Sequence, residues 1–523
     1  MTRPPFDIKS AQQPLFHALL EARDRHGGAT PALVDGDGRV LSYDEIIRAS
    51  FALGHALKRD TRARECVGVL LPTGMGAAVA IFALTAYGRV PTMLNFTAGE
   101  AGLKSALKTA QVRRIVTARR FIELAKLDDL AAALSQQCEL VYLEDVRAKL
   151  SLRDKLAAAA GSLAPKLVAA RASHKKTAII LFTSGTEGEP KGVALSHENL
   201  LTNVAQIRAH IDIYPGDILF NPLPVFHCFG LTGGLLLPLI AGVKAVCHPT
   251  PLQPHEIVRR IQEVGATALL STDTFISQYA RAGEPGELDS LRLVICGAER
   301  VRDETRTLVR RKFGMEIVEG YGVTEAAPVV AVNQIETNRP GTVGQLMAGM
   351  EARLVPVEGI ANAGRLLIKG PNIMLGYINP AQPGAIVPPP DGWYDTGDVV
   401  SIDDDGFLAI RGRLKRFAKI GGESVSLGVV ENCAAALWPD YAHAAVAIPD
   451  GRKGEQIVLV TDAMEATRMA LVAWAQNHGV SELAIPRKVL NLAAIPVLGS
   501  GKTDYVAVQK LVETSAELAN QRP

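Results

Sequence analysis

Helical and strand-like segments alternate at short intervals along the first part of this chain. Tyr43 to Lys58 has the apolar spacing of an amphipathic helix, and Cys66 to Leu71 is a short apolar run typical of a strand. Met75 to Tyr87 is helical again, and Val90 to Leu94 is another strand-like run. Strands that alternate with helices at this spacing pair in parallel, and the helices cover both faces of the sheet. The pattern therefore predicts an α/β fold.

The same alternation returns further along the chain. From Lys149 to Ala172 the composition shifts toward Ala, Lys and Arg, which indicates a helical or mobile connector. Beyond it, four short apolar runs have the length and composition of core strands: Ala178 to Phe182, Ala245 to His248, Ala268 to Ser271 and Leu291 to Gly297.

The residue pattern of the sequence changes after Glu325. Short strands and turns rich in Gly and Pro follow, as in Gly364 to Gly370. From Leu414 onward, helix and strand signals fill about 110 residues, which is enough for a small α+β domain. We therefore expect a large domain followed by a smaller one.

Size, charge and cysteine content limit the class of protein. A chain of 523 residues exceeds what one core usually supports. Its 56 Lys and Arg residues nearly balance its 54 Asp and Glu residues, which argues against a dedicated nucleic-acid binder. The six cysteines include no C-x-x-C pair, so we expect reduced thiols in a cytoplasmic protein.

Two uncharged stretches have to be weighed as membrane spans. Val67 to Gly88 is long enough to cross a bilayer, but Pro72 and Gly74 within it fit a strand, a turn and a helix better. Phe229 to Val243 is shorter and is interrupted by glycines and Pro238. We expect both to be buried elements, with no transmembrane segment, and leave peripheral membrane association open.

The segment Leu181 to Val193, LFTSGTEGEPKGV, has the composition of a phosphate-binding loop. Glycines let the backbone turn tightly and point N–H groups inward, while hydroxyls and a lysine add donors and positive charge. A turn rich in Ser, Thr and Gly is more often only a turn, and the pattern is not G-x-x-x-x-G-K-[ST]. The residues in question are Thr183, Ser184, Gly185, Thr186, Gly188, Lys191 and Gly192.

A second motif, GYGVTE, spans Gly320 to Glu325. Tyr321 between two glycines presents an aromatic face suited to stacking a purine. Thr324 offers a hydroxyl to a phosphate, and Glu325 offers a hard oxygen ligand for Mg²⁺. Taken alone, the same letters also suit a turn with an acidic helix cap.

Together the two motifs resemble the AMP-forming adenylating enzymes, which include acyl-CoA synthetases, luciferases and peptide-synthetase adenylation domains. The resemblance implies ATP and Mg²⁺ as cofactors. It also implies an α/β fold with a large multi-layer N-terminal domain of parallel-type sheets plus a small barrel-like part, and a small mobile α+β C-terminal domain. It assigns Tyr321, Gly322 and Thr324 to the nucleotide, and Glu325 with Thr183 to the metal.

Further residues match the family in order and spacing. Gly297, Ala298 and Glu299 end a strand pattern and match a tripeptide that runs along the adenine. Asp398, in WYDTGD, matches the residue that binds the ribose diol, and Arg413 matches the arginine that also contacts ribose. His227, in PVFHCFG, matches a residue that borders the carboxylate pocket, although a histidine among aromatics is more often a packed core residue.

The basic segment Arg411 to Glu423 falls at the expected domain boundary. By resemblance, Lys415 stands at the pivot of a hinge, and Lys419 with Gly421 and Gly422 matches the segment used in the thioester-forming step. Lys502, in LGSGKTDY, matches the catalytic lysine that bridges the substrate carboxylate and the α-phosphate. The resulting boundaries are residues 1–412 for the large domain, 413–416 for the hinge and 417–523 for the small domain.

Within the family, the chain resembles the acyl–acyl-carrier-protein synthetase half of bacterial 2-acylglycerophosphoethanolamine acyltransferases. The similarity is carried by Val67 to Leu84, Leu181 to Asn203, Phe220 to Leu239 and Arg411 to Leu427. The acyltransferase half of those proteins has an H-x-x-x-x-D motif, which HALKRD (His55 to Asp60) fits only by coincidence on a helix. We expect no acyl transfer to lysophospholipid.

The implied reaction is ATP-dependent activation of a fatty, long-chain acid to acyl-AMP, followed by transfer to a phosphopantetheine thiol. By resemblance we favour an acyl-carrier protein as acceptor. Carrier proteins are acidic, and the basic hinge with Arg310 to Lys312 could receive one, although charge does not discriminate between a carrier protein and CoA. CoA also carries negative charge and stays an alternative. Adenylation of an aryl or amino acid is a second alternative. A third is a non-catalytic nucleotide-binding protein, but the presence of Glu325, Lys191 and Lys502 argues against it, because such a protein could dispense with them.

Overall fold

The computed structural model describes residues 3–183, 190–358, 360, 362–420, 423–450, 454–478, 480–497 and 503–520. Helices in the first three hundred residues are α1 Leu15–His26, α2 Tyr43–Lys58, α3 Met75–Ala86, α4 Gly99–Thr109, α5 Arg119–Leu124, α6 Asp128–Ser135, α7 Leu143–Ala148, α8 Leu152–Leu163, α9 Pro165–Val168, α10 His197–His210, α11 Leu237–Ala241, α12 Pro254–Val264 and α13 Asp273–Ala282. Helices in the remainder are α14 Asp303–Phe313, α15 Leu427–Leu437, α16 Arg468–Asn477 and α17 Tyr505–Asn520.

The strands follow the same chain order. The first are β1 Pro31–Val34, β2 Val40–Ser42, β3 Cys66–Val69, β4 Val90–Met93, β5 Arg114–Thr117, β6 Glu139–Tyr142, β7 Thr177–Thr183, β8 Lys191–Ser196, β9 Ile218–Asn221, β10 Lys244–Cys247, β11 Ala268–Ser271, β12 Leu293–Cys296 and β13 Ile317–Gly322. The rest are β14 Val329–Val332, β15 Gln345–Leu346, β16 Glu351–Pro356, β17 Gly364–Lys369, β18 Gly376–Ile378, β19 Ile386–Val387, β20 Tyr394–Ile402, β21 Leu408–Arg413, β22 Phe417–Ile420, β23 Glu423–Ser426, β24 His443–Asp450, β25 Gly454–Thr461 and β26 Lys488–Asn491.

Two large sheets organise the first part of the chain, as far as the described residues show. One has the order β15-β14-β13-β12-β11-β9-β10-β1-β2, and its central strands from β13 to β1 are parallel. The other has the order β19-β18-β8-β7-β4-β3-β5-β6, in which β7, β4, β3, β5 and β6 are parallel. Strands such as β11 and β12 are buried at every position, as expected of parallel strands covered on both faces.

Smaller sheets make up the later part. The region expected to be barrel-like holds a four-stranded sheet in the order β16-β17-β20-β21. A further sheet has the order β23-β22-β25-β24, with β26 paired to β25, and α15, α16 and α17 complete an α+β unit. The predicted mixed α/β fold, with a large N-terminal domain and a smaller C-terminal one, is confirmed.

By its contacts the chain forms two compact units. One comprises Met1–Glu351 and Lys369–Tyr394, and the other comprises Ala352–Ile368 and Asp395–Pro523. The boundary expected from the sequence, with a hinge at residues 413–416, concerns motion as well as contacts and stays a prediction.

The local predictions for the first unit hold with small shifts at the ends. The helix expected over Tyr43 to Lys58 is α2, and the connector before β7 is helical, as α8 and α9. Within the described ranges no helix is both long and apolar enough to cross a membrane. The stretch after His227 forms a π-helix over Phe229–Leu236 followed by α11.

Candidate active site

Glu325 lies at the centre of a buried polar cluster in the first unit. The Tyr377 hydroxyl donates a hydrogen bond to Oε1 of Glu325. The hydroxyls of Tyr377 and Tyr394 lie 3.1 Å apart, so the two tyrosines and the carboxylate form a short chain of polar groups. The backbone also holds Glu325, because the Met374 N–H donates to its carbonyl oxygen at 2.8 Å. A buried carboxylate held in this way keeps a fixed direction.

Lys191 lies over the Tyr377 ring. Its Nζ is 5.6 Å from the ring centroid, which is within the range of a cation–π contact. The position follows from strand pairing, since β18 pairs with β8 and sets Tyr377 opposite Val193. The cluster therefore has a positive group and a negative group that both contact Tyr377.

The two ends of the expected phosphate loop are fixed by the same sheet. Thr183, the last residue of β7, pairs directly with Lys191, the first residue of β8. Ser184, Gly185, Thr186 and Gly188, which the sequence assigns to the nucleotide, lie outside the described residues. The structure thus brings Thr183, Lys191 and Glu325 into one region and leaves the loop between the strands undescribed.

The turn that presents Glu325 depends on a close backbone approach. Residues Thr324–Ala326 form one 3₁₀ turn after β13, and Glu325 is buried there. A Cβ added at Gly322 would lie 2.5 Å from the Pro328 carbonyl oxygen. Glycine is therefore required at residue 322, because any side chain would push the two backbone segments apart.

Burial and the Glu325 carboxylate together keep the neighbouring hydroxyl and thiol groups protonated. Burial raises the pKa of the Tyr394 hydroxyl, and the nearby Glu325 charge raises it further. Burial also raises the pKa of the Cys228 thiol to about 12, with Glu325 again contributing. Both groups are therefore protonated at neutral pH, and Cys228 cannot act as a thiolate nucleophile there.

The donor set suits a magnesium ion bound to a phosphate. Within the described part of the chain, no group of three or more His, Cys, Asp and Glu side chains is arranged to hold a metal. Mg²⁺ does not need such a group, since it commonly uses one or two carboxylates together with substrate phosphates and waters. Glu325 is a carboxylate of this kind, and it lies beside the sheet that carries the ends of the phosphate loop.

The carboxyl ends of neighbouring parallel strands meet near this cluster. Gly297 follows β12, Tyr321 lies near the end of β13, and His227 lies beyond β9. A Cβ at Gly297 would lie 3.4 Å from both the Gly320 carbonyl oxygen and the Phe229 ring, so the space beside it is narrow. Ligands of open parallel sheets bind beyond this edge.

Two residues of the tripeptide Gly297 to Glu299, which the resemblance assigns to the adenine, have distinctive geometry. Ala298 has φ of +68°, a left-handed conformation that a residue with a side chain seldom adopts. Such backbone strain is concentrated at functional sites. Glu299 accepts hydrogen bonds from the N–H and the hydroxyl of Thr274, at 3.1 Å and 2.8 Å, and so braces the start of α13.

His227 is half-buried against an aromatic neighbour. Its ring centroid lies 4.8 Å from that of Phe226, at an interplanar angle of 55°. Its backbone N–H donates to the Pro224 carbonyl at 3.0 Å, and its carbonyl accepts from Leu231 at the start of the π-helix. A π-helical turn in a glycine-rich, apolar stretch is a further sign of a functional region.

In the second unit, Asp398 and Arg413 form a cross-strand pair. They lie opposite each other in the β20–β21 hairpin, which explains their separation of fifteen residues. Nε of Arg413 donates to Oδ1 of Asp398 at 3.0 Å, where the carboxylate is buried and the guanidinium is exposed. The pair presents a carboxylate oriented by a cation, which suits a ribose diol.

The proposed hinge and thioester residues lie on the surface of this unit. Lys415 is exposed in the short 3₁₀ turn Leu414–Arg416. The backbone N–H of Lys419 donates to Glu455 at 2.5 Å, and its Nζ is 3.9 Å from Glu358. Lys502, Gly421 and Gly422 lie outside the described residues.

Sequence reasoning missed Tyr377 and Tyr394. Tyr394 belongs to the motif WYDTGD, in which the resemblance assigns a role to Asp398 only. Tyr377 is the last residue of MLGY, and nothing in that sequence predicts that its hydroxyl donates to Glu325. Only the pairing of β18 with β8 brings it there.

Comparisons with known proteins identify the family of the chain. A model of the AMP-binding enzyme family matches residues 20–378. The chain is 26% identical to the medium-chain fatty-acid–CoA ligase of Escherichia coli (strain K12), over 92% of this chain and 87% of that protein. It is 30% identical to 4-coumarate–CoA ligase 5 of Oryza sativa subsp. japonica, over 93% and 92% respectively.

Solved structures show the same fold. ATP-bound MatB from Rhodopseudomonas palustris superposes with a TM-score of 0.82 at 24% identity, covering 96% of this chain and 99% of that one. The o-succinylbenzoate coenzyme A synthetase MenE of Bacillus subtilis, in complex with ATP and magnesium, gives 0.80 at 20% identity, covering 94% and 98%. The match of the family model, with the 30% identity to a relative over most of the chain, shows that the chain belongs to the AMP-binding enzyme family.

Proposed function

We propose that this protein activates a long-chain fatty acid with ATP and transfers the acyl group to a phosphopantetheine thiol. A carboxylate oxygen of the acid attacks the α-phosphorus of ATP, and the bond to pyrophosphate breaks. The thiol sulfur then attacks the acyl carbon of the adenylate, and AMP leaves. The observation that carries the proposal is the fixed arrangement of Lys191, Tyr377 and Glu325 beside the strand ends of the phosphate loop.

Each group in that arrangement has a positioning or electrostatic task. Lys191 neutralises phosphate charge, and Glu325 would hold a magnesium ion. Magnesium would supply charge neutralisation at the phosphates when bound. Tyr377 acts through Glu325, so it is a positioning residue. Catalysis of this type depends on placement and fixed charge, because no enzyme nucleophile is modified.

Several roles rest on the family resemblance. Tyr321 and Gly297 to Glu299 are assigned to the adenine, and Asp398 with Arg413 to the ribose. Lys502 is assigned to the adenylation step and Lys419 to the thioester step. Replacing Lys502 by Ala is expected to slow adenylate formation by a factor on the order of 10²–10³.

The choice of a fatty acid is supported by two observations. The region beyond β9, Phe229–Leu236, is apolar and rich in glycine. Fatty-acid–CoA ligases are among the relatives. An aryl acid is the second candidate, which the similarity to 4-coumarate–CoA ligases favours.

For the thiol, we propose an acyl-carrier protein. The loop sequence TSGTEGEPKG, with acidic residues at Glu187 and Glu189, favours assignment to the acyl-carrier-protein synthetases. The exposed cations Arg310 and Arg311 at the end of α14 fit an acidic partner. CoA is the second candidate, because the relatives named above are CoA ligases.

One assay separates these possibilities. Pyrophosphate release is measured with ATP and Mg²⁺ over a panel of fatty, aryl and amino acids, and the active acid is then offered with CoA or with holo-acyl-carrier protein. Release with long-chain fatty acids and thioester formation on the carrier protein are expected. Release with aryl acids alone would replace the proposed substrate, and thioester formation on CoA alone would replace the proposed acceptor.

A further inference from the structure

Helix α8 is fixed to the first unit by its inner face. Asp154 is fully buried and pairs with Nδ1 of His55 at 2.7 Å and with Nη1 of Arg59 at 3.0 Å. Ala158 and Gly161, one and two turns further on, are also buried, and a Cβ at Gly161 would lie 2.4 Å from the Phe51 ring. His55 of the HALKRD motif is thus paired with Asp154. The orientation of α8 is therefore set.

The outer face of α8 is a row of leucines exposed to solvent. Leu152, Leu156 and Leu163 are 73%, 60% and 88% exposed, and Leu167 in α9 is 78% exposed. At about 100° per residue, the three leucines of α8 lie within roughly 40° of one another around the helix axis. Single exposed leucines are ordinary, but an aligned row of them forms a patch that requires an occupant.

Cations border this leucine row on both sides. On the same helical wheel Lys155 lies about 60° to one side of Leu152, and Arg153 about 100° to the other. Both are exposed. Over residues 147–176 the only acidic residue is the buried Asp154, against eight basic residues: Arg147, Lys149, Arg153, Lys155, Lys166, Arg171, Lys175 and Lys176. Lys166 makes an ion pair with Asp24 at 3.4 Å.

A groove continues the apolar surface. It has a volume of about 680 Å³ and lies between α2 and α8. Its lining is mostly apolar, with Leu41, Ala52 and Leu163 among the apolar residues, and its charged residues are Arg48, Lys155 and Glu45. An apolar helix face, bordered by long basic side chains and continued by an apolar groove, is the arrangement of helices that lie in a membrane interface.

We propose that the α8–α9 face docks this protein on an anionic lipid surface. The leucines enter the boundary between headgroups and acyl chains, and the flanking lysines and arginines contact anionic headgroups. A second copy of this chain fits the face poorly, because each copy would bring the same positive segment to the contact. The proposal concerns where the enzyme works and does not depend on which acid or thiol it uses.

The test is flotation of the full-length protein with lipid vesicles. We expect binding to vesicles of phosphatidylcholine and phosphatidylglycerol, and weak binding to phosphatidylcholine alone. Replacing Lys149, Arg153 and Lys155 by Gln is expected to weaken partitioning by about fivefold for each cation removed. Replacing Leu152, Leu156, Leu163 and Leu167 by Ser is expected to weaken it by a factor on the order of 100 or more.

A matched control removes exposed apolar side chains elsewhere. Leu252→Ser and Met469→Ser remove side chains that are also strongly exposed, and should leave flotation unchanged. Pyrophosphate release with a short, water-soluble acid should be the same in all variants, which shows that they fold. The proposal is overturned if wild-type protein does not float with anionic vesicles. It is also overturned if the leucine variant floats normally, or if that variant instead loses self-association or binding of an acidic carrier protein.

Discussion

At the scale of single residues, Tyr377 is the group that holds the candidate site together. Its hydroxyl donates to Glu325, its ring lies under the Lys191 ammonium, and its strand pairs with the strand that begins at Lys191. Removing the hydroxyl leaves the ring and the strand in place. The hydroxyl can therefore be tested apart from the fold.

Tyr377→Phe is expected to lower kcat/KM for MgATP by about 10- to 100-fold, which corresponds to the loss of one hydrogen bond to a charged group. The Mg²⁺ concentration for half-maximal activity should rise, while the KM for the acid changes little. Tyr394→Phe is the comparison variant: the Tyr394 hydroxyl also interacts with Glu325 and with Tyr377, but its removal leaves the bond from Tyr377 to Glu325 in place and should have the smaller effect. Equal effects of the two variants on the Mg²⁺ dependence would contradict the assigned role of Tyr377.

His197 makes stability depend on pH. It is buried, its Nδ1 accepts the Leu15 N–H at 2.9 Å, and burial lowers its pKa from 6.5 to about 4. The unfolded chain therefore binds a proton at higher pH than the folded chain does. The stabilisation is fully present above pH 6.5 and is lost as pH falls toward 4, up to about 3 kcal/mol.

The measurement is the shift in the urea unfolding midpoint between pH 7.5 and pH 5. His197→Gln should reduce this shift, whereas the exposed His478→Gln should leave it as in wild type. An unaltered shift in His197→Gln would mean that other groups cause the acid sensitivity.

At the scale of elements, the turn after β13 requires glycine at residue 322. Gly322→Ala should lower stability by about 1–3 kcal/mol, because its Cβ would lie 2.5 Å from the Pro328 carbonyl oxygen and the turn that carries Glu325 would have to move. Adenylate formation should fall with it. Gly428→Ala, at the start of α15 with only the Ser426 hydroxyl 3.6 Å away, is the control and should be tolerated in thermal unfolding and in activity. Normal activity of Gly322→Ala would rule out this account of the turn.

The spacing of apolar residues predicted the helices and strands well, because it depends directly on which side chains are buried. The α2 helix and the β11 strand have the bounds expected from the sequence. Contacts between distant strands could not be predicted in the same way. Tyr377 and Lys191 are far apart in the chain, and only sheet order brings them together. The exposure of the α8 leucines could not be predicted either, because composition does not tell which face of a helix packs against the core.

At the scale of the whole molecule, the resemblance requires the hinge at Lys415 to change its backbone conformation between the two half-reactions. Lys415→Pro restricts the backbone there and in the residue before it. Thioester formation is expected to fall by about tenfold or more, while adenylate formation is largely kept. Lys415→Ala, which removes the side chain without restricting the backbone, should affect both steps little. Single-turnover assays of each step measure this, and equal losses in both steps would contradict a hinge.

The central claim is that the Lys191, Tyr377 and Glu325 cluster serves adenylation of a carboxylic acid. The most direct measurement is pyrophosphate release from ATP, with and without a long-chain fatty acid, by wild-type protein and by Glu325→Gln. We predict release that depends on the acid in wild type, and a decrease on the order of 10²–10³ in the variant. Acid-independent release in wild type, or unchanged release in Glu325→Gln, would contradict the account.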